Sequence, residues 1–481
     1  MPDPSESQRP RLIIPGAEPE PAPASRIVLP GGEPAAPDLP DAPAAARRPG
    51  IVLPPGVGRE EPEDLPEYPR MRALAIMPVS DGQREMLLVS DPTGVIPGQP
   101  VLSMEALPML QLLDGTLSLA DITAAIMREN KDLRVAGLVR DFVAQLDQML
   151  LLDSPRYHKA LQALRDEYHP LEIRPAALES RSYPAAPGEL DAFLGGHFTA
   201  AARMRDLAAQ PAAAAGALPR AILAPHLDPR RAGAVIARAY VEIGEIGPES
   251  ATAPAPPLRV VIFGTGHTLL GDLFALTRKH FQTPLGKALC DTAFVDQIAS
   301  RLGDFAYRGE LAHREEHSIE FQVLYLQQAL RKRAFTIVPI LCGGFHALLE
   351  DQLTPRESPE FELLIESIRD TERARGGRTL YVAGVDFSHV GPRFGDPPID
   401  DRVKQETEAT DRAALERALA GDADGWFDSI AAGDDHTRIC GFAPTYALLR
   451  CAEPGAGRLL HYEQCDEQDG STVSVAAVAW G

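Results

Sequence analysis

Cysteine is scarce in this chain: five in 481 residues, at 290, 342, 440, 451 and 465, an odd number with no CxxC spacing. That argues against a disulfide framework and against a structural zinc knuckle. Long apolar runs are missing as well. No stretch of 18 residues avoids both charge and proline, so no membrane-spanning helix is expected. The start, MPDPSESQRP, has no basic region leading into an apolar core and reads as no secretory signal. Positive charge is in deficit: Lys plus Arg number 47 against 68 Asp plus Glu, a net charge of −21. So acidic a chain repels phosphate backbones and anionic lipid, and neither nucleic acid nor a membrane is an expected partner. The sequence contains no GxSxG, no phosphate-binding GxxxxGK[ST], no HExxH and no dinucleotide glycine fingerprint; GTGH at 264–267 is too short to serve as one. The expectation is a protein of a reducing, cytoplasmic compartment whose chemistry does not depend on nucleotides.

What is present divides the chain. Residues 1–70 hold 18 of its 45 prolines and few aromatics, a composition expected to stay disordered because it cannot bury enough apolar surface. Within it a pattern recurs: RLIIPGAEP at 11–19, RIVLPGGEP at 26–34 and GIVLPPG at 50–56. It reads either as drift in low-complexity sequence or as an extended motif that adds a strand to a partner or to the chain's own sheet edge. Residues 71–155 predict a small, mostly helical domain of winged-helix size. MRALAIMPV and EMLLVSDP are its strands, and helices are predicted over MEALPMLQLLDG, LADITAAIMREN and VAGLVRDFVAQLDQMLLL. Ser118 is placed to cap the second helix, and Leu119, Ile122 and Ile126, then Val139, Phe142, Val143 and Leu146, form buried stripes. Residues 156–218 read as a helical linker. From 219 to 481 buried strands (RAILA, LRVVIFG, FTIVPILC, RTLYVAGV, RLLHYEQC, STVSVAAVAW) alternate with helices, the mark of an α/β fold with a central sheet flanked by helices.

Three histidines in this last region sit just past strand ends: His226 after RAILAP, His267 after VVIFGTG, and His389 after YVAGVDFS, with Asp386 beside it. Ligands of α/β proteins collect at the carboxyl ends of strands, so these side chains are expected to share one crevice. Cys440, in TRICGFAP, precedes a helix start, a setting that can lower a thiol's pKa. Two imidazoles with one thiolate or carboxylate make a three-ligand site for iron, copper or zinc that leaves positions open to substrate. In HREEHSIEFQ (313–322), Ser318 reads as a helix cap and Glu320 as a first-turn acid. The adjacent Glu316–His317 pair suits acid–base work or the orienting of a ligand.

APH (224–226), GTGH (264–267), EEHSIEFQ (315–322), VDFSHVGPRFG (385–395) and CG-x-AP (440–444) follow the order and spacing of the MEMO-like family, which in bacteria includes the AmmeMemoRadiSam system protein B. That family is similar to the class III extradiol dioxygenases, and the resemblance implies their sheet with non-haem iron at the strand ends. It implies His226, His267 and Cys440 as the metal ligands and His389 as an acid–base or ligand-orienting histidine. Asp386, Glu316 and His317 would line the cleft. Where the family usually follows APH with small residues and an aromatic, this chain has Leu227-Asp228-Pro229. The run LLDG–S–LADI resembles PqqD-like peptide-binding domains, which implies a peptide or a radical-SAM-type protein as partner for residues 71–155. Three functions remain in contention: an iron- or copper-dependent oxidoreductase, a peptide- or protein-binding adapter, and a metal-dependent hydrolase.

Overall fold

The computed structural model describes residues 65–80, 85–96, 98–130, 135–208, 218–244, 257–269 and 271–481. The aliphatic–Pro repeats, and the disorder expected around them up to residue 64, lie outside these. The described residues form two units, 65–164 and 165–481.

In the small unit β1 (Ala75–Ser80) and β2 (Glu85–Ser90) make an antiparallel pair that β3 (Val101–Ser103) extends. Helices α1 (Leu107–Leu110), α2 (Leu119–Asn130), α3 (Val135–Gln148) and α4 (Pro155–Tyr168) follow, the last running across the division between units. The core joins Leu87, Val89 and Leu102 of the sheet to Ile122, Val139, Phe142, Val143 and Leu146, while Leu119 and Ile126 of the stripe predicted for α2 are only partly buried against it. Ser118 caps α2 as expected, its Oγ accepting from Asp121 N–H at 3.1 Å. The helix predicted over MEALPMLQLLDG shrinks to a 3-10 turn and the single turn α1. Pro108 lacks the N–H that a continuous helix would bond to the carbonyl of residue 104. Leu65, within the segment expected to be disordered, packs against this core.

The large unit opens with β4 (Ile173–Arg174) and α5 (Pro187–Leu207), so the segment expected as a linker supplies it with a strand and a long helix. Then come β5 (Ala221–Ala224), α6 (Pro229–Gly244) and β6 (Leu258–Thr265). The strand β7 (Phe274–Leu276) and the hairpin of β8 (His280–Thr283) and β9 (Gly286–Cys290) lead to α7 (Thr292–Leu302) and α8 (His317–Ala329). The chain continues through β10 (Phe335–Cys342), α9 (His346–Glu350), α10 (Pro359–Arg375), β11 (Thr379–Gly384) and β12 (His389–Val390). It closes with α11 (Asp401–Leu419), α12 (Ala423–Ala431), α13 (Phe442–Ala452) and the hairpin β13 (Gly457–Asp466)–β14 (Thr472–Trp480).

The centre of the sheet is four parallel strands in the order β5-β11-β6-β10, and β14 joins β5 antiparallel. Alternation along the strands feeds two cores. Leu223, Phe263, Tyr381 and Val478 face one layer of helices, while Ile222, Ile262, Val382 and Ala477 face the other. Both faces are covered, as the near-continuous apolar runs predict. Strands β5 and β6 are consecutive in the chain but have β11 between them. Such a reversal of strand order opens a crevice at the carboxyl ends.

Candidate metal centre

The seven expected site residues reach that crevice from five segments of the chain. The turn after β5 carries His226, the turn after β6 carries His267, and the segment from β11 to β12 carries Asp386 and His389. Glu316 and His317 sit at the start of α8, and Cys440 lies two residues ahead of α13. Two glycines let α8 come this close. A Cβ on Gly384 would stand 2.5 Å from the Ser318 carbonyl oxygen, and one on Gly264 would stand 2.5 Å from Ser318 Oγ. No real Cβ contact is that short, so any side chain at either position would push the Glu316–His317 pair away from the strand ends.

The histidines share one feature: Nδ1 of each is tied to oxygen. His226 Nδ1 lies 2.8 Å from the Gly384 carbonyl, and His389 Nδ1 lies 2.8 and 3.0 Å from the carbonyls of Phe387 and Arg438. A carbonyl only accepts, so Nδ1 carries the proton in both rings and Nε2 is left with its lone pair. His267 Nδ1 is 3.1 Å from both oxygens of Glu316, and His317 Nδ1 is 3.1 Å from its Oε1. The His267 and His317 rings stack at 4.8 Å, and His226 stands edge-on to them at 5.0 and 5.1 Å. His226 Nε2 meets Cys440 Sγ at 3.3 Å. His226, His267 and Cys440 bring one ligand atom each within 4.8 Å of one another; so do Asp386, His389 and Cys440, and so do His267, Glu316 and His317. His226 forms the floor at 2% exposure, while the side chains of His267 and His317 are 38% and 34% exposed toward the mouth.

The two carboxylates do different work. Glu316 accepts from the backbone N–H groups of His267, His317 and Ser318 at 2.8 to 2.9 Å, besides facing the two rings. Burial alone would raise its pKa, but the charges of His267 and His317 outweigh that and hold it well below the usual carboxylate range. Reciprocally, burial lowers His267 and the Glu316 carboxylate raises it further, for a net upward shift. Asp386 Oδ1 accepts from His226 N–H at 3.0 Å and Leu227 N–H at 3.1 Å, and Oδ2 lies 3.5 Å from His226 Nε2. Here burial wins and the carboxyl is pushed up. His226 is held well below the ordinary imidazole range, first by burial and then by the neighbouring His267 and His317, so it is neutral and able to ligate.

Two expectations are corrected. Ser318 is not the cap of α8: Glu316 is, and Ser318 Oγ donates instead to the Thr265 carbonyl at 2.8 Å. A glutamate can both cap the helix and orient two rings, which the shorter hydroxyl cannot. Nor does the helix start lower the Cys440 thiol. Burial, and then the nearby Asp386 carboxylate, push it well above the usual thiol range. The unusual Leu227-Asp228-Pro229 builds the start of α6, with Asp228 Oδ1 accepting from Arg230 N–H at 2.8 Å.

One buried support went unseen in the sequence. The fully buried Arg174 of β4 donates to the carbonyls of His313 and Glu316, both at 2.7 Å, and pairs with fully buried Glu320. Glu320 also accepts from Tyr183 Oη, Ala177 N–H and Leu178 N–H. An acid read as a helix-dipole partner is the anchor of the segment that carries Glu316. The only sequence signal was Glu320 itself, an acid set between Ile319 and Phe321 at the start of α8.

A sheet covered by helices, with imidazoles and a thiol gathered at the ends of its parallel strands, defines a candidate metal-site protein of α/β class. Comparison with known proteins narrows this. The profile of the Memo-like protein family matches residues 174–480, which begins at the Arg174 anchor and well ahead of the motifs that start near residue 219. A MEMO1 family protein of Aquifex aeolicus (strain VF5) is 25% identical over 400 residues, 82% of this chain and 94% of its own. One from Thermus thermophilus is 31% identical over 287 residues (60% and 76%), and one from Pyrococcus abyssi is 30% identical over 266 (53% and 84%). The chain belongs to the Memo-like family. Among the described residues no helix is long and apolar enough to cross a membrane.

Proposed function

We propose that the large unit is a non-haem iron or copper centre of oxidoreductase type, with His226, His267 and Cys440 as ligands and an extradiol-dioxygenase-like sheet as its frame. The observation that carries this reading is the uniform pinning of the imidazoles. His226 and His267 each give Nδ1 to an oxygen, and His226 turns Nε2 to the thiol at 3.3 Å, the arrangement by which proteins fix the tautomer and aim of metal-ligating histidines. Glu316 is not a ligand in this reading, because five N–H groups already claim its oxygens. Iron or copper held by two imidazoles and a thiolate would supply redox chemistry and open coordination positions for substrate.

The residues around the site have separate tasks. His389 is oriented by two carbonyls and presents Nε2 for moving a proton to or from a bound substrate. Its pKa is lowered by burial, partly offset by Asp386, so it is neutral and ready to act as a base. His317, fixed by Glu316 at the mouth, is placed to hydrogen-bond a substrate entering over His267. The test is metal analysis of the purified chain beside His226→Ala. Stoichiometric iron or copper that is lost in the variant supports the proposal. Zinc would favour a hydrolase, and an absence of metal from both proteins would favour an adapter.

A further inference from the structure

The small unit carries an apolar groove of about 400 Å³ lined by Met71, Ile76, Leu87, Met104, Leu107 and Leu110, with Gln111 its one polar member. Met71, Ile76, Met104 and Leu107 pack against the core of the unit but are only partly buried, so part of their apolar surface is left to line the groove. The wall formed by Ile76 belongs to β1, which among the described residues is an edge strand paired only with β2. No charged side chain lines the groove. It suits an uncharged aliphatic segment, and methionines adapt readily to such a guest.

The chain itself supplies one. We propose that Ile51–Pro54 (Ile-Val-Leu-Pro) folds back and docks in this groove of the same molecule. Three observations select it. The segment has three branched aliphatics and no charge, in a tract otherwise rich in proline, alanine and acid. Leu53, preceding proline, is biased to extended backbone, and Pro54 brings no N–H that would need a partner. The chain also enters the small unit nearby: Leu65 packs on its core, the Glu67 carbonyl accepts from Leu119 N–H, and Met71 N–H donates to the Leu113 carbonyl just beyond α1. Between Pro54 and Leu65 lie ten residues, which span up to about 33 Å when extended. So short a tether gives an effective concentration of order millimolar, enough to populate a contact too weak to form between separate molecules. The similar segments at 12–15 and 27–30 are held by longer tethers and compete at lower effective concentration.

The test uses the full chain with a photoreactive p-benzoylphenylalanine at Gln111, an exposed position whose replacement leaves the core untouched. Irradiation followed by peptide mapping should give an intramolecular cross-link to residues 50–56. The link should disappear when Ile51, Val52 and Leu53 are all replaced by serine. In the same serine variant, hydrogen exchange at 85–90 and 107–113 should quicken by about tenfold while exchange in 258–265 stays unchanged. Cross-links to 12–15 or 27–30, to a second molecule, to the large unit alone, or to nothing would each overturn the proposal, as would unchanged exchange.

Discussion

The site has two halves, each built round one buried carboxylate. Glu316 faces only N–H groups, three from the backbone and two from imidazole rings, and its charge is stabilised by them. Asp386 receives two backbone N–H groups, lies 3.5 Å from a ring nitrogen that carries no proton, and is penalised by its burial. Similar depth therefore gives opposite pKa shifts, and the charges of the His267 and His317 rings beside Glu316 decide the sign. The Glu316 half is a rigid support that sets ring orientation. In the proposed reading the Asp386 half, which holds His226, His389 and Cys440, is where protons would be exchanged.

Breaking the first half should have the largest effect. Glu316→Ala strands three backbone donors and releases two rings from their common anchor. It should cost about 3–5 kcal/mol, the range for removing one member of a buried charged cluster. Urea unfolding of the metal-free protein measures this. Glu316→Gln should not rescue it, because one end of the amide brings donors to face donors. A loss below about 1 kcal/mol for Glu316→Ala would show that the half is not the support described here.

The division between halves also fixes which third donor a metal can use. Cys440→Ser keeps the size but replaces a soft sulfur with a hydroxyl that is a poor ligand. Iron or copper affinity should fall at least about tenfold, or ~1.4 kcal/mol, while Cys451→Ser, a change inside the core away from the crevice, leaves it unaltered. Metal content by elemental analysis, with circular dichroism to confirm the fold, decides the matter. Full occupancy in Cys440→Ser would remove the thiol from the ligand set and leave Asp386 as the third donor, because Glu316 has no acceptor capacity to spare.

Much of this was legible in the sequence, for identifiable reasons. All six strands expected in the large unit appear close to their expected limits, five of them as buried apolar runs and β13 as a mostly half-buried one. The site histidines announce themselves by following those runs directly. The hairpin β8–β9 is absent from the sequence reading because in HFQTPLGKALC apolar residues alternate with polar ones too briefly to stand out from a loop. Ser318 misled because capping propensity is local, whereas Glu316 caps through a demand set by His267, which is distant in sequence. The thiol of Cys440 misled in the same way: a helix start argues for a low pKa, but burial and Asp386 come from the tertiary fold. Arg174 could not be read at all, since nothing local marks an arginine whose partners lie beyond residue 310.

The smallest effect, and the sharpest test of the comparison, is expected from Asp386→Asn. Asparagine retains an oxygen for the N–H groups of His226 and Leu227, and its amide can donate toward the lone pair of His226 Nε2, so the contacts survive without the charge. The signs for the two halves run opposite ways. Glu316 has a depressed folded pKa, so the stability it contributes is present above its ordinary value of 4.5 and lost as pH falls through the folded one. Asp386 has a raised folded pKa, so its contribution is present below 3.8 and lost as pH rises through the folded value. At pH 7 Asp386 is therefore a cost, and the asparagine variant should be as stable as the parent or more stable by up to about 1 kcal/mol. Below pH 3.8 that advantage should vanish, because the parent carboxyl is then neutral too. Unfolding of the metal-free proteins at both pH values measures the difference. If Asp386→Asn lost several kcal/mol at pH 7, the Asp386 charge would be a support like that of Glu316, and the site would not divide into a rigid half and a proton-exchanging one.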